Sequence, residues 1–192
     1  ADRDGFAIAV SGGRSPWAML AHLGAGLPWT RGGIWQVDER VAPDGHAERN
    51  LTGLLQSLPA EAHRIVRPMP VTDDDLDNAA SRYAAQLPER FDVVHLGLGD
   101  DGHTASLVPG DPVVDVMDRD VATTGEYRGR RRMTFTYPLL DRSPFVLWLV
   151  AGSDTAPVLP LLLTSDRSIP AGRVRAERQL VLADEAAAAE LR

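Results

Sequence analysis

The 192-residue chain contains no cysteine, and all 20 of its Lys+Arg residues are arginine. Without cysteine there are no disulfides, no thiol nucleophile and no Cys-ligated zinc, and a cytoplasmic setting is the expectation. Without lysine there is no Walker-A grip on phosphate and no Schiff-base chemistry, so anions must be met by arginine and backbone N–H groups. Basic charge is also in short supply: Asp+Glu number 27, the net charge is −7 and the pI is about 5.2. That balance argues against a nucleic-acid partner, which needs a basic face. Long apolar runs are lacking, as is a basic-then-apolar leader, so no membrane partner is expected. What remains, 44% hydrophobic and 24% charged residues, suits one α/β domain over 1–192, with a substantial core but too little chain for two catalytic domains. The chain reaches a strand almost directly after Asp2-Arg3-Asp4, which leaves room for a further helix of that domain upstream.

The rest of the chain is organised around residues 91–110. Val93 to Leu98 is a short apolar run broken by His95, the pattern of a buried parallel strand. It runs into Gly97, Gly99 and Gly102, which allow sharp turns and close backbone approach, with His103 at the tip. A polar turn past the carboxyl end of a central strand is where open α/β sheets bind ligands. Three readings compete. The glycine spacing matches a dinucleotide fingerprint, but Pro109 and Gly110 close the following segment after about a turn and a half of helix, too short for that motif. A purely structural turn with a surface histidine is the second. The preferred third makes His103 a general base, because imidazole can take a proton from water and return it.

Phe6 to Val10 reads as the first strand. Ser11-Gly12-Gly13-Arg14-Ser15-Pro16 follows as a glycine turn opening a helix from about Trp17 to Leu23. Free N–H groups at such a helix start, with the Ser11 and Ser15 hydroxyls, form an anion cradle; a turn with glycine for geometry alone is the bland alternative. Gly24 to Gly33 reads as loop, with Trp29 packed inside. Ile34 to Val37 is a second strand ending at Asp38-Glu39-Arg40, three charges that are hard to place in a core and could simply be solvated. Asn50 is expected to cap a helix over about Leu51 to Leu58. His63 to Arg67 reads as a short strand. Asp73 to Asp77 is the acidic start of a helix reaching about Leu87, with Leu76, Ala80, Tyr83, Ala84 and Leu87 buried, and not a calcium loop.

Asp111 to Gly129 shows no period and reads as a surface excursion. From Arg132 to Tyr137 the sequence alternates like a strand with one wet face. Phe145 to Ala151 reads as another central strand, and a helix to about Leu163 should start late or kink at Pro160. Ser168 to Arg173 reads as loop, Gln179 to Ala183 as the last strand, and Asp184 as the start of an Ala-rich helix. Strand and helix alternate about six times, which indicates a three-layer, doubly wound α/β fold: a mostly parallel, Rossmann-like sheet with helices on both faces.

These pieces resemble, in order and over nearly the whole chain, the 6-phosphogluconolactonases of the sugar-phosphate isomerase and deaminase superfamily. The resemblance rests on Ser11-Gly12-Gly13 with Ser15-Pro16, on Trp35 with Asp38-Glu39-Arg40-Val41, His46 and Asn50, and on Leu96-Gly97 with Gly99, Asp101-Gly102-His103-Thr104-Ala105-Ser106-Leu107 and Pro109-Gly110. Arg132-Met133-Thr134, the strand into Gly152, and Asp184-Glu185-Ala186-Ala187 agree as well. It implies hydrolysis of 6-phospho-D-glucono-1,5-lactone without metal or other cofactor, by a monomer or small homo-oligomer whose partner is the sugar-phosphate lactone. It also implies His103 as base, with phosphate held by the turn Ser11, Gly12, Gly13, Arg14, Ser15 and by Arg40. Backbone N–H groups around Gly99 to Gly102, or Arg40, would meet the oxyanion, and Asp101 or Asp38 would orient the imidazole. Many relatives carry a lysine where this chain has Thr155, so Arg132 or another arginine would have to compensate. The nearest rival, a glucosamine-6-phosphate deaminase-like isomerase, would use a carboxylate that Ser106-Leu107-Val108 does not offer. A non-catalytic sugar-phosphate sensor would keep the cradle and lose the base.

Overall fold

Side-chain alternation along the first strand decides how the sheet is covered. In the computed structural model, which describes residues 5–23, 29 and 31–191, β1 (Phe6–Val10) turns Phe6, Ile8 and Val10 to one layer and Ala7 and Ala9 to the other. β2 (Gly32–Gln36), β4 (Val66–Arg67), β5 (Val93–Gly97), β8 (Val146–Val150) and β9 (Gln179–Ala183) join it in a six-stranded sheet ordered β4-β2-β1-β5-β8-β9. Every pairing in that sheet is parallel. Renumbered within the sheet alone, the order is 3-2-1-4-5-6, the doubly wound arrangement in which the strand order, not the strand direction, reverses between β1 and β5.

Helices α1 (Arg14–Leu23) and α2 (Asn50–Ser57) bury Leu20 and Leu54 against Val10, Ile34 and Val66. On the opposite face α3 (Leu76–Ala84), α4 (Tyr137–Asp141) and α5 (Leu159–Leu163) cover Ala9, Leu96 and Trp148. Each fully buried large apolar side chain contributes about 1.5–3 kcal/mol. Trp29 packs edge-to-face on Phe6 with ring centroids 6.1 Å apart, so it is core as expected. On the α1 side Leu180 and Leu182 of β9 stay exposed, and a largely apolar cavity of about 630 Å³ runs along Phe6, Ile8, Met19, Val93 and Leu147. Among the described residues no helix is long and apolar enough to cross a membrane.

A second sheet was not expected. β3 (Asp38–Arg40), β6 (Val121–Thr123) and β7 (Arg132–Phe135) form an antiparallel sheet ordered β3-β7-β6. The Asp-Glu-Arg run is therefore neither solvated nor a tail of the second strand, which itself begins at Gly32. β6 lies inside the supposed surface excursion, and β7 is buried at every position where one wet face was expected. Sandwiching between sheet and helices, with charges paired locally, replaces the period-2 signal there.

Smaller departures have local causes. α1 starts at Arg14, with Pro16 inside its first turn, where a missing N–H costs nothing. His63 falls in a 3-10 helix, Ala60–Ile65, leaving Val66–Arg67 as strand. α3 stops at Ala84 and buries Ala79 along with Ala80 and Tyr83, while Leu76, Ala84 and Leu87 are half-buried. No helix follows His103: Thr104 to Leu107 is a turn closed by a bridge, with Ala105 at φ 52°. The segment before α5 is a short 3-10 turn, Ser153–Thr155, so the late start at Pro160 holds. Ala171–Arg173 is also 3-10, and after Asp184 the chain makes turns instead of a helix, Asp184 accepting the Ala187 N–H at 2.7 Å. Residues 24–28 and 30 of the expected loop lie outside the described residues.

Candidate active site

The reversal point between β1 and β5 is where two sequence-distant turns are forced together. Val10 is registered beside His95, and the Ser11 N–H donates to the His95 carbonyl at 3.2 Å, so the Ser11-Gly12 and Gly97-Gly99 turns leave the sheet side by side. The second sheet closes the opening from a third side. The result is a pocket of about 130 Å³, walled by Ser11 and Gly12, by Asp38, Arg40 and Arg132, and by Gly99 and His103.

Both glycines are required by their neighbours. A Cβ on Gly12 would collide with the Asn50 amide, and one on Gly99 with the His103 ring. Gly102 sits at φ 81° and lies over Ile169, outside the pocket. The ring of His103 packs close against Gly99, with Nδ1 2.6 Å from Asp101 Oδ1, and the His103 backbone N–H donates to the same oxygen at 3.0 Å. Asp101, not Asp38, is thus the partner of the imidazole. Since a carboxylate only accepts, Nδ1 carries the hydrogen, and in the neutral form of the ring Nε2 is the nitrogen with the lone pair. Burial alone would raise the Asp101 carboxyl, but the backbone N–H and ring of His103 and the Tyr127 hydroxyl hold it below the usual carboxylate range.

Asp38 is engaged elsewhere: it accepts the Ser106 hydroxyl at 2.7 Å and the Asn50 side-chain amide at 3.3 Å. Glu39, fully buried, accepts the first N–H groups of α2 from Asn50 and Leu51, at 2.7 and 2.8 Å, and pairs with Arg49 at 3.0 Å. This carboxylate caps α2, while the Asn50 side chain, expected as the cap, reaches Asp38. Placing an anion at a helix start offsets part of its burial cost.

Arg40 and Arg132 stand directly opposite each other across β3 and β7. Like charges in that position repel, and here one of them is only 6% exposed. Burial, with Arg40 adding repulsion, lowers the Arg132 guanidinium from its ordinary value. Arg40 Nε, Arg132 Nε and the Ser11 hydroxyl are buried and find no hydrogen-bond partner among the described residues. Ser11, Arg40 and Arg132 line the same pocket, and unsatisfied donors of this kind are complementary to an anion. A neighbouring depression of about 170 Å³ adds Arg128 and Arg130, the latter bound to Glu48 at 2.8 Å.

Of the residues named from sequence, Ser11, Gly12, Asp38, Arg40, Gly99, His103 and Arg132 line the pocket; Gly13, Arg14, Ser15, Asp101 and Gly102 do not. The Gly99 N–H donates to the His103 carbonyl and the Gly102 N–H to the Gly99 carbonyl, so these two amides are not free for an oxyanion. Thr155 is tied to its own turn, its hydroxyl donating to the Gly152 carbonyl at 2.8 Å. Asp100, Asp101 and His103 place ligand atoms within 4.8 Å of one another and could hold a cation, yet Asp101 already holds the imidazole and Asp100 holds Arg128. Sequence reasoning missed Asn50 as a pocket wall, Ser106 as the partner of Asp38, and Tyr127. Only Tyr127 lacked any cue, because its segment shows no period.

The same architecture recurs in known proteins. A 6-phosphogluconolactonase from Nostoc is 33% identical over 97% of this chain and 85% of its own length. One from Streptomyces coelicolor is 35% identical over 100% of this chain and 84% of its own length. The crystal structure of a 6-phosphogluconolactonase from Thermotoga maritima superposes with a TM-score of 0.84 at 26% identity, covering 95% of this chain and 86% of that one. A monomeric glucosamine-6-phosphate deaminase shares the fold at a TM-score of 0.80 and 18% identity. The profile described as glucosamine-6-phosphate isomerases/6-phosphogluconolactonase matches residues 1–182, and the chain belongs to that family.

Proposed function

We propose that the protein hydrolyses 6-phospho-D-glucono-1,5-lactone to 6-phospho-D-gluconate, the second step of the oxidative pentose phosphate pathway, with His103 as general base. The observation that carries this reading is the pairing, in one pocket, of Arg40 and Arg132, whose Nε donors are unsatisfied among the described residues, with an imidazole held at Nδ1 alone. Arg40, Arg132 and the Ser11-Gly12 turn hold the phosphate; the lactone carbonyl lies toward His103. His103 Nε2 takes a proton from water as the water oxygen bonds to C1, and the carbonyl electron pair moves onto its oxygen. The arginines on the same wall stabilise that negative charge in a site of low dielectric. Collapse then breaks the bond from C1 to the ring oxygen, which leaves with the proton from His103. Asp101 keeps the ring in the required tautomer throughout.

The deaminase alternative is weaker because the group bonded to His103 is Asp101, within its own turn, while Ser106 binds Asp38. The test is acid release from freshly made lactone, measured above spontaneous hydrolysis, for wild type and His103→Ala. A fall of about 10²- to 10⁴-fold is expected. Equal rates would remove His103 as the base, and ammonia release from glucosamine 6-phosphate would favour the alternative.

A further inference from the structure

We infer that Tyr127 is a positioning residue for the base, acting through Asp101, an inference that rests on the lactonase reading above. Asp101 offers two oxygens. Oδ1 takes both the ring Nδ1 and the backbone N–H of His103, and Oδ2 takes the Tyr127 hydroxyl, which donates at 2.9 Å. Because rotation about the Cβ–Cγ bond of a carboxylate is soft, an acid held at one oxygen alone can swing; the Tyr127 bond removes that freedom. The ring of Tyr127 also packs edge-to-face on His103, with centroids 5.6 Å apart, so it confines the imidazole from the side as well.

The hairpin that presents Tyr127 is built for fixed placement. Tyr127 and Arg130 are bridged, each N–H donating to the other's carbonyl, and the two residues between them, Arg128 and Gly129, have φ of 51° and 77°. Positive φ at both central positions is the geometry of the tight turn that joins twisted antiparallel strands, here β6 and β7. The tip is fastened to the histidine turn at two successive acids, Arg128 pairing with Asp100 at 2.9 Å as Tyr127 bonds Asp101. The guanidinium of Arg132 lies over the Tyr127 ring, 4.9 Å from its centroid. Tyr127 therefore touches both the arginine wall and the base.

Burial first, and then the bond to Asp101, raise the Tyr127 hydroxyl above its ordinary value, so it stays protonated and remains a donor across the working pH range. The surrounding charges agree: Asp101 and Asp100 favour the neutral phenol and outweigh Arg128.

Tyr127→Phe keeps the ring and its packing and removes only the donor. The expected result is a kcat about 10-fold lower with KM changed less than twofold, the loss of one hydrogen bond to a charged group. In an Asp101→Asn background the same change should alter kcat less than twofold, since contacts in one chain of bonds are not additive. Nitrogen-15 NMR of the His103 imidazole reads the effect without turnover: hydrogen on Nδ1 in wild type, and both tautomers in Tyr127→Phe. An unchanged tautomer together with an unchanged kcat overturns the inference, as does an equal fold-loss in the two backgrounds. If wild type fails to hydrolyse the lactone, the functional reading falls, and the NMR comparison alone decides the role of Tyr127.

Discussion

Two histidines eight residues apart, His95 in β5 and His103 in the turn that follows it, show how environment divides one side chain into two roles. His95 is 2% exposed and neither ring nitrogen has a hydrogen-bond partner among the described residues. Burial pushes its imidazole from the ordinary 6.5 down to about 4. His103 keeps 19% of its side chain exposed and is held by a carboxylate at Nδ1. The buried ring, stripped of partners, is a stability liability; the partly exposed ring, held at one nitrogen and open at the other, can exchange protons with a solute.

Perturbing the two sites should separate activity from stability. His103→Ala carries the largest expected effect, the 10²- to 10⁴-fold loss of lactone turnover given above, with the urea unfolding free energy changed by no more than about 1 kcal/mol. Acid should act on the other ring. Between pH 6.5 and 4 the unfolded chain binds a proton at His95 that the folded chain refuses, so stability falls as pH drops through that window and levels off below it. Taken from the two values, the loss is about 3 kcal/mol over the whole window. Urea titrations at stepped pH check this, and a flat profile from pH 6.5 to 4 would count against a neutral buried His95.

Asp101→Asn comes next. An amide can donate to Nδ1 as well as accept from it, so the variant no longer enforces one tautomer. A kcat lower by roughly 10- to 100-fold is expected, less than in enclosed triads because this carboxylate is partly solvated. Steady-state kinetics with KM nearly unchanged would bear that out, and wild-type kcat would show that the carboxylate does not hold the base.

How much of this was legible in sequence follows the same divide between apolar burial and paired polarity. The parallel sheet announced itself through apolar runs: Gln179 to Ala183 matches β9 residue for residue, and Val146–Val150 falls within the run expected for β8. The glycine turns and His103 were legible because turn geometry restricts residue type. The second sheet was not. β3 and β6 are three residues each, and β3 is charged; its burial depends on partners such as Arg49, Asn50 and Ser106, which no local pattern reveals. Tyr127 was hidden for the same reason, since it reaches the site only because β6 and β7 fold back on β3. The choice between Asp38 and Asp101 was likewise a matter of distance.

The smallest expected effect tests the idle histidine directly. Val fits a central parallel strand, its volume is close to that of an imidazole, and it has no polar atom to desolvate. Two ring nitrogens buried without partners cost more than they return, so His95→Val should raise the unfolding free energy at pH 7 by about 1–2 kcal/mol. It should also abolish the acid-sensitive step between pH 6.5 and 4, while lactone turnover stays at the wild-type rate because His95 points into the apolar cavity beside Ile8 and Leu147 and not into the pocket of His103. A destabilised His95→Val with wild-type turnover would mean that the ring's packing outweighs its desolvation. Lost turnover in a folded variant would mean that the two histidines are coupled along β5, and the division of roles drawn from their surroundings would be wrong.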